Sequence, residues 1–185
     1  DARFPSAGPL VNEAPARDTR LASSAVVGPV RHPKTGHMYY AIMTAQGITG
    51  AGATAAAESM TVGGAPGHLA AVTSDEEGEF LLSELPFTHD GFWIGGRAAR
   101  IQPDAALTLR RWTLGTGEEW DYTSWLNEEP NRRTSVAVWR IATTSYAPPT
   151  PERGPSLTRL MWAGKSAGIH QRGFIVEFDA PQADA

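Results

Sequence analysis

Carboxylates, imidazoles and indoles with chemical potential occur at only a few places in this sequence. Asp75, Glu76, Glu77 and Glu79 place four carboxylates within five residues, material for paired acid–base work or for a cation site. Five histidines, His32, His37, His68, His89 and His170, are scattered along the chain. None has the His-Glu-x-x-His spacing that brings two imidazoles to one helix face. Six tryptophans, Trp93, Trp112, Trp120, Trp125, Trp139 and Trp162, offer apolar faces for a core or for a flat ligand such as a sugar ring. Cysteine is absent, which removes disulfides, thiolate metal sites and thiol nucleophiles together. There is no Gly-x-Ser-x-Gly elbow and no phosphate-cradling glycine loop.

The elements that must position these residues follow from periodicity and punctuation. Residues 1–24 are rich in Pro and Ala and read as an arm or linker, residues 25–180 as one domain, and 181–185 as a tail. A first strand is expected within 21–30. The turn Arg31-His32-Pro33-Lys34-Thr35-Gly36 then leads into the β-rich run 37–43, predicting a hairpin. The Ala-rich stretch 48–60 predicts a helix. Ser74 before the acidic run is an N-cap with Glu77 as capping-box partner, Phe80, Leu81 and Leu85 form the buried stripe, and Pro86 ends the helix. In that setting the acidic cluster sits in a first helical turn, where the helix dipole favours negative charge, and needs no catalytic role. Strands are expected at 92–95, 107–114, 135–142, 160–162 and 173–178, with a Pro-rich run over 143–159. Phe174, Val176 and Phe178 alternate with Ile175 and Glu177, the pattern of a terminal strand with one core face, so Glu177 reads as a solvated residue. The order is α+β.

Charge narrows the partners. With 16 Lys and Arg against 20 Asp and Glu, the net charge is −4, so no basic face for nucleic acid is expected. No run approaches the roughly 18 apolar residues of a membrane span, so no membrane insertion is expected.

The order of short motifs resembles a C-type lectin-like domain. The matching pieces are Gly67-His68-Leu69-Ala70-Ala71-Val72, Ser74-Asp75-Glu76-Glu77 with Phe80-Leu81, and Trp93-Ile94-Gly95. After them come Arg111-Trp112-Thr113-Leu114, Tyr122, Trp125, Glu129-Pro130-Asn131, Trp162 and Gly173-Phe174-Ile175-Val176-Glu177-Phe178. The resemblance implies a C-type lectin-like α+β fold, two helices packed on antiparallel sheets with a long irregular loop region. It places Trp93, Trp112, Trp125 and Trp162 in the core and leaves Trp120 and Trp139 for exposure. Trp93-Ile94-Gly95 calls for a central strand with a large anchor and a close backbone approach at Gly95. Val176 stands where the family usually has a half-cystine, so packing replaces a cross-link worth about 2–4 kcal/mol. Cysteine-free versions of this spelling resemble bacterial members.

The resemblance also implies where a ligand binds. In the family a calcium ion in the long loop holds sugar, and the tripeptide Glu-Pro-Asn goes with mannose-type sugars. Gln102-Pro103-Asp104, of the galactose-type spelling, precedes the Arg111-Trp112-Thr113-Leu114 strand and reads as a turn; Glu129-Pro130-Asn131 stands where the family places its selecting triplet. Glu129 and Asn131 would be metal ligands, with Asn127 and Glu128 as extra oxygens. Calcium takes about 6–8 oxygens. The family's further acidic ligands are replaced by Arg132-Arg133 and by Trp162-Ala163-Gly164-Lys165, whose charges oppose a divalent cation. A second calcium position in some relatives matches Glu77 and Glu177, with Thr73 adding an oxygen. His68 reads as structural.

The resulting expectation is a non-catalytic recognition domain. It would bind a glycan or an extracellular protein partner through Asn127, Glu128, Glu129, Asn131, Arg132, Arg133 and Trp120, without calcium. The alternative is a calcium-dependent mannose-type lectin; a ligand-free scaffold and an enzyme follow behind. Secreted or cell-surface placement is expected from the resemblance and from a chain that starts at Asp1 without Met. The 143–159 run is expected on the face away from Glu129 and Asn131, because a hairpin tip lies opposite the end where both strands meet the long loop.

Overall fold

The computed structural model describes residues 11–12, 25–85, 91–98, 112–114, 121–122, 124–125, 136–143, 158–166 and 168–180. Among them ten strands and two helices follow in order: β1 (Val11–Asn12), β2 (Ala25–Arg31), β3 (Met38–Thr49), α1 (Gly50–Glu58), β4 (Met60–Val62) and β5 (Ala65–Leu69). Then come α2 (Asp75–Glu84), β6 (Phe92–Ala98), β7 (Trp112–Thr113), β8 (Val136–Thr143), β9 (Thr158–Lys165) and β10 (His170–Phe178). Within the 1–24 run, β1 pairs with β4, Val11 opposite Thr61.

The last strand is the centre. On one edge β10 runs antiparallel to β3 from His170 opposite Thr49 to Phe178 opposite Met38. On its other edge it pairs with β5 through 176–178 and, in parallel, with β6 through Gly173 and Phe174. The first and last long strands of the domain are therefore hydrogen-bonded to each other. The sheet continues from β6 to β8 and β9, all antiparallel.

Side-chain alternation sorts this sheet into two cores. Met38, Tyr40, Ile42, Leu69, Trp93, Phe174, Val176 and Phe178 face one side with Ala53, Ala56 and Ala57 of α1. Tyr39, Ala41, Phe92, Ile94, Ile175 and Trp162 face the other with Leu81 and Leu85 at α2. A strand buried on both faces and paired on both edges has no solvated side. Every residue from Phe174 to Phe178 is buried, Glu177 included. The expectation of one core face for this strand, with Glu177 in solvent, is corrected here. Alternation of apolar and polar residues reads as half-exposed, and it misreads a strand whose single polar side chain is internally paired.

The helices form where their caps say they should. Thr49 caps α1, its Oγ1 accepting from the Gly52 N–H at 3.1 Å, and Ser74 caps α2, its Oγ accepting from the Glu77 N–H at 3.2 Å. Only half of the expected capping box exists. The Glu77 carboxylate reaches instead to the N–H and hydroxyl of Thr73, at 2.7 and 3.0 Å.

Two close approaches fix how the layers meet. Trp93 is fully buried and its indole N–H donates to the Ile48 carbonyl at 2.8 Å. Two residues on, the Gly95 N–H donates to the Ala70 carbonyl at 2.8 Å. A Cβ at Gly95 would lie 2.7 Å from the Leu69 carbonyl oxygen, so only glycine lets β6 abut the 69–70 backbone. Gly95→Ala is expected to cost about 1–3 kcal/mol through this overpacking, read as a lower midpoint in urea with an unchanged slope.

Candidate functional site

Cross-strand register builds a polar row inside the sheet. Glu177 of β10 stands opposite Tyr39 of β3 and opposite His68 of β5, and directly opposed residues project to the same face. The face is the one that α2 covers, so the α2 N-terminus descends onto the row.

Each oxygen of the buried carboxylates has a partner. Glu177 is 2% exposed and Glu77 6%, and a charge so placed needs partners for its lone pairs. Glu177 Oε1 receives His37 Nδ1 at 2.6 Å and the Tyr39 hydroxyl at 3.0 Å, and Oε2 accepts from the Ala71 N–H at 2.7 Å. Glu77 Oε1 accepts from the same Tyr39 hydroxyl at 2.5 Å, while Thr73 covers Oε2. Tyr39 carries one proton, so the two carboxylates share it. Outward of this pair, Asp179 Oδ1 lies 3.2 Å from His68 Nε2 and 4.0 Å from His37 Nδ1. A pocket of about 400 Å³ opens on His37, His68, Glu77, Glu177 and Asp179, with Leu114 as an apolar wall.

Electrostatics follow from this packing. The hydrogen bond to Glu177 raises the His37 pKa above its ordinary value, burial opposes it, and the charges of Glu177 and Asp179 add to the rise. For His68 burial pulls down, but the charge of Glu177 and bonds to Leu69 and Asp179 leave it raised. Burial pushes the Glu77 carboxyl up despite its donors, and burial together with both carboxylates pushes the Tyr39 hydroxyl up.

The sequence-derived sites fare differently. Glu77 and Glu177, proposed from well-separated parts of the chain, do converge, joined through Tyr39. Thr73 joins them as a donor to Glu77 and not as a free oxygen. Asn127, Glu128, Glu129, Asn131, Arg132, Arg133 and Trp120 lie outside the described residues, as do Gln102, Pro103 and Asp104. What is described is how their segment is anchored. Thr113 of β7 and Val136 of β8 both pair with Arg97 of β6, so the run between them leaves and re-enters the sheet at one point. It is also pinned partway: the Trp162 N–H donates to the Ser124 carbonyl at 3.0 Å, and the rings of Tyr122 and Trp125 pack edge-on against Trp162. The Tyr122 hydroxyl reaches Asp75 at 2.5 Å. β8 and β9 pair from Val136 opposite Lys165 to Thr143 opposite Thr158. The run 144–157, outside the described residues, thus departs from the end of the hairpin opposite Val136. Trp93 and Trp162 are fully buried and Trp125 is partly buried against the core, while the side chains of Trp112, Trp120 and Trp139 lie outside the described set.

Sequence reasoning missed His37, Tyr39 and Asp179. Tyr39 stands in the β-rich run 37–43, which carried no site signal, and His37 and Asp179 gain meaning only once β3 and β10 are in register. Among the described residues, His37, Glu177 and Asp179 place one ligating atom each within 4.8 Å of one another.

With this geometry in view, comparison with known proteins identifies the architecture. No protein-family model matches the sequence, and no curated protein matches it. Solved structures do. The C-type lectin CEL-I from Cucumaria echinata superposes with a TM-score of 0.53 at 16% identity, covering 77% of this chain and 89% of that one. The cow C-type carbohydrate-recognition domain of CD23, solved with a GlcNAc2Man3 oligosaccharide, gives 0.52 at 19% identity, covering 78% and 89%. The mouse scavenger receptor C-type lectin carbohydrate-recognition domain gives 0.50 at 16%, covering 80% and 92%. The chain has the C-type lectin fold, and at these identities the likeness establishes the fold alone.

The polar row makes stability depend on pH. His37 has a folded pKa above its unfolded value near 6.5. Its contribution is therefore complete below about pH 6.5 and is lost as pH rises through the folded value. In chelator-treated protein the melting temperature is expected to fall between pH 6 and pH 9, and His37→Gln to flatten that slope. An equally steep slope in the variant assigns the dependence to another group.

Proposed function

We propose that this chain is a non-catalytic recognition domain that captures a glycan, or a protein partner outside the cell, through the segment around Glu129 and Asn131, without calcium. The observation that carries the reading is the anchoring of residues 114–135. In a C-type lectin fold, both ends of this run converge on Arg97, and Ser124 and Trp125 tie it to β9. In this reading the sheet holds the ends of a segment whose Asn127, Glu128, Glu129, Asn131, Arg132 and Arg133 would contact the ligand, with Trp120 stacking on a sugar ring. Binding sites are commonly carried on such loops.

Independence from calcium is supported by charge at the base of the segment. Lys165 stands opposite Val136, Arg97 pairs with Val136 on the other edge, and Arg132 and Arg133 precede it by a few residues. Cations among these residues would oppose a divalent ion. At Glu77 and Glu177 the neighbouring groups include the His37 imidazole, and a set that includes an imidazole does not suit the 6–8 oxygens of calcium. The Glu129-Pro130-Asn131 spelling favours the second reading, a calcium-dependent mannose-type lectin. Secretion or display at the cell surface belongs with either reading. No helix among the described residues is long and apolar enough to cross a membrane.

A glycan array probed with and without calcium separates the two. Capture is expected to survive chelator and to weaken at least tenfold in Asn131→Ala and in Arg132→Glu. Loss of all capture on chelation, with recovery on adding millimolar calcium, establishes the second reading instead.

A further inference from the structure

We propose that His37, Glu177 and Asp179 form a binding site for a four-coordinate divalent transition metal of the zinc type, with His68 orienting Asp179 from behind. The site is independent of the loop around Glu129 and stands on different residues.

Three features of the geometry carry it. His37 Nδ1, a Glu177 oxygen and Asp179 Oδ1 already lie within 4.8 Å of one another. A tetrahedral zinc with bonds near 2.0–2.1 Å needs its ligand atoms about 3.3 Å apart. His37 Nδ1 and Glu177 Oε1 at 2.6 Å must open slightly, His37 Nδ1 and Asp179 Oδ1 at 4.0 Å must close by less than one ångström, and the Glu177 and Asp179 oxygens, within 4.8 Å, must settle to the same spacing. Asp179 is 63% exposed and His37 31%, so these two side chains have room to make the adjustment.

Second, the ligands are oriented from outside in the manner of metal sites. Glu177 Oε2 is fixed by the Ala71 N–H, which leaves Oε1 as the ligating atom. The Tyr39 hydroxyl keeps Glu77 as its nearer acceptor when Oε1 turns to an ion. His68 Nε2 holds Asp179 Oδ1 at 3.2 Å, and its own Nδ1 lies 3.0 Å from the Leu69 carbonyl. The pocket of about 400 Å³ leaves the fourth position to a water.

Third, the pocket gathers carboxylates beside an imidazole. Glu77, Glu177 and Asp179 converge on this pocket, and Lys34, in the turn before His37, is taken by Glu76 at 2.7 Å. On binding, any hydrogen on His37 Nδ1 passes to solvent, and Nδ1 and Glu177 Oε1 direct lone pairs at the ion. One mixed imidazole and carboxylate set suits zinc, not calcium. The ion would tie the start of β3 to the end of β10, a cross-link between residues 140 positions apart in a chain without cysteine.

The test is titration of zinc into the chelator-treated full chain by calorimetry, with the melting temperature followed in parallel. One-to-one binding that raises the melting temperature is expected, with millimolar calcium failing to compete. His37→Gln and Asp179→Asn should each weaken zinc at least tenfold, and His68→Gln about tenfold, while His170→Gln at the exposed end of β10 leaves it unchanged. Asp179→Asn is exposed, and a cooperative melt confirms that it folds. Absence of saturable binding, or binding unaffected by Asp179→Asn, overturns the proposal; so does loss of binding in His170→Gln.

Discussion

A carboxylate held in the middle of the central strand is the constraint on which much of this structure turns. Glu177 lies between Tyr39 and His68 across three strands and is almost wholly shielded from water. A buried charge without partners costs several kcal/mol, so its neighbours are dictated. The Ala71 N–H must point inward, which fixes the path of the chain between β5 and α2. Tyr39 must stand opposite Glu177, which fixes the register of the first long strand on the last. Shifting β3 by one residue would turn Tyr39 to the α1 side and leave the carboxylate without it. Tyr39 then passes the constraint to Glu77, and through it to the position of α2.

Around that row the sheet divides two cores of different texture. The side facing α1 is built on small residues of the helix, Ala53, Ala56 and Ala57, against large ones of the sheet, Trp93, Phe174 and Phe178. A Cβ on Gly67 would lie 2.6 Å from the Ala57 carbonyl oxygen, so helix and β5 meet at backbone distance. The opposite side is filled by Trp162, Phe92 and leucines of α2. Val176, fully buried in the core that also holds Trp93, occupies the strand position for which the resemblance suggested a half-cystine. In a chain without thiols, close packing and hydrogen bonding across β10 take the place of covalent ties between the domain's ends.

Legibility of the sequence divided along the same physical line. Local signals were readable: the Ser74 cap, the Ala-rich helix, and a glycine two residues after a tryptophan anchor, because each depends on neighbours within a few positions. The architecture was readable because several such fragments stood in a known order. The state of Glu177 was not. Alternation with apolar residues is what a half-exposed strand shows, and only the covering by α2 makes it an internal charge. The second half of the Ser74 box failed for a related reason: Glu77 had better partners in Thr73 and in Tyr39, 38 residues away. His37 and Asp179 carried no signal, since their closeness arises from pairing strands that lie at opposite ends of the domain. The segment around Glu129 was named from resemblance, and its residues fall outside those described.

The way that segment is attached bears on what the fold can host. Its two ends meet on opposite edges of one residue position, Arg97, so the sheet is already closed without it. Loop-closure entropy grows only slowly with length once the ends are fixed, and Ser124 and Trp125, docked on Trp162, fix a further point along the run. Residues beyond Trp125 can therefore change in number and charge with little effect on the strands that carry them. Residues of the Glu177 row cannot, because each is a donor or acceptor for a group already removed from water. The fold thus separates a part fixed by desolvation from a part whose residues the strands leave open to change.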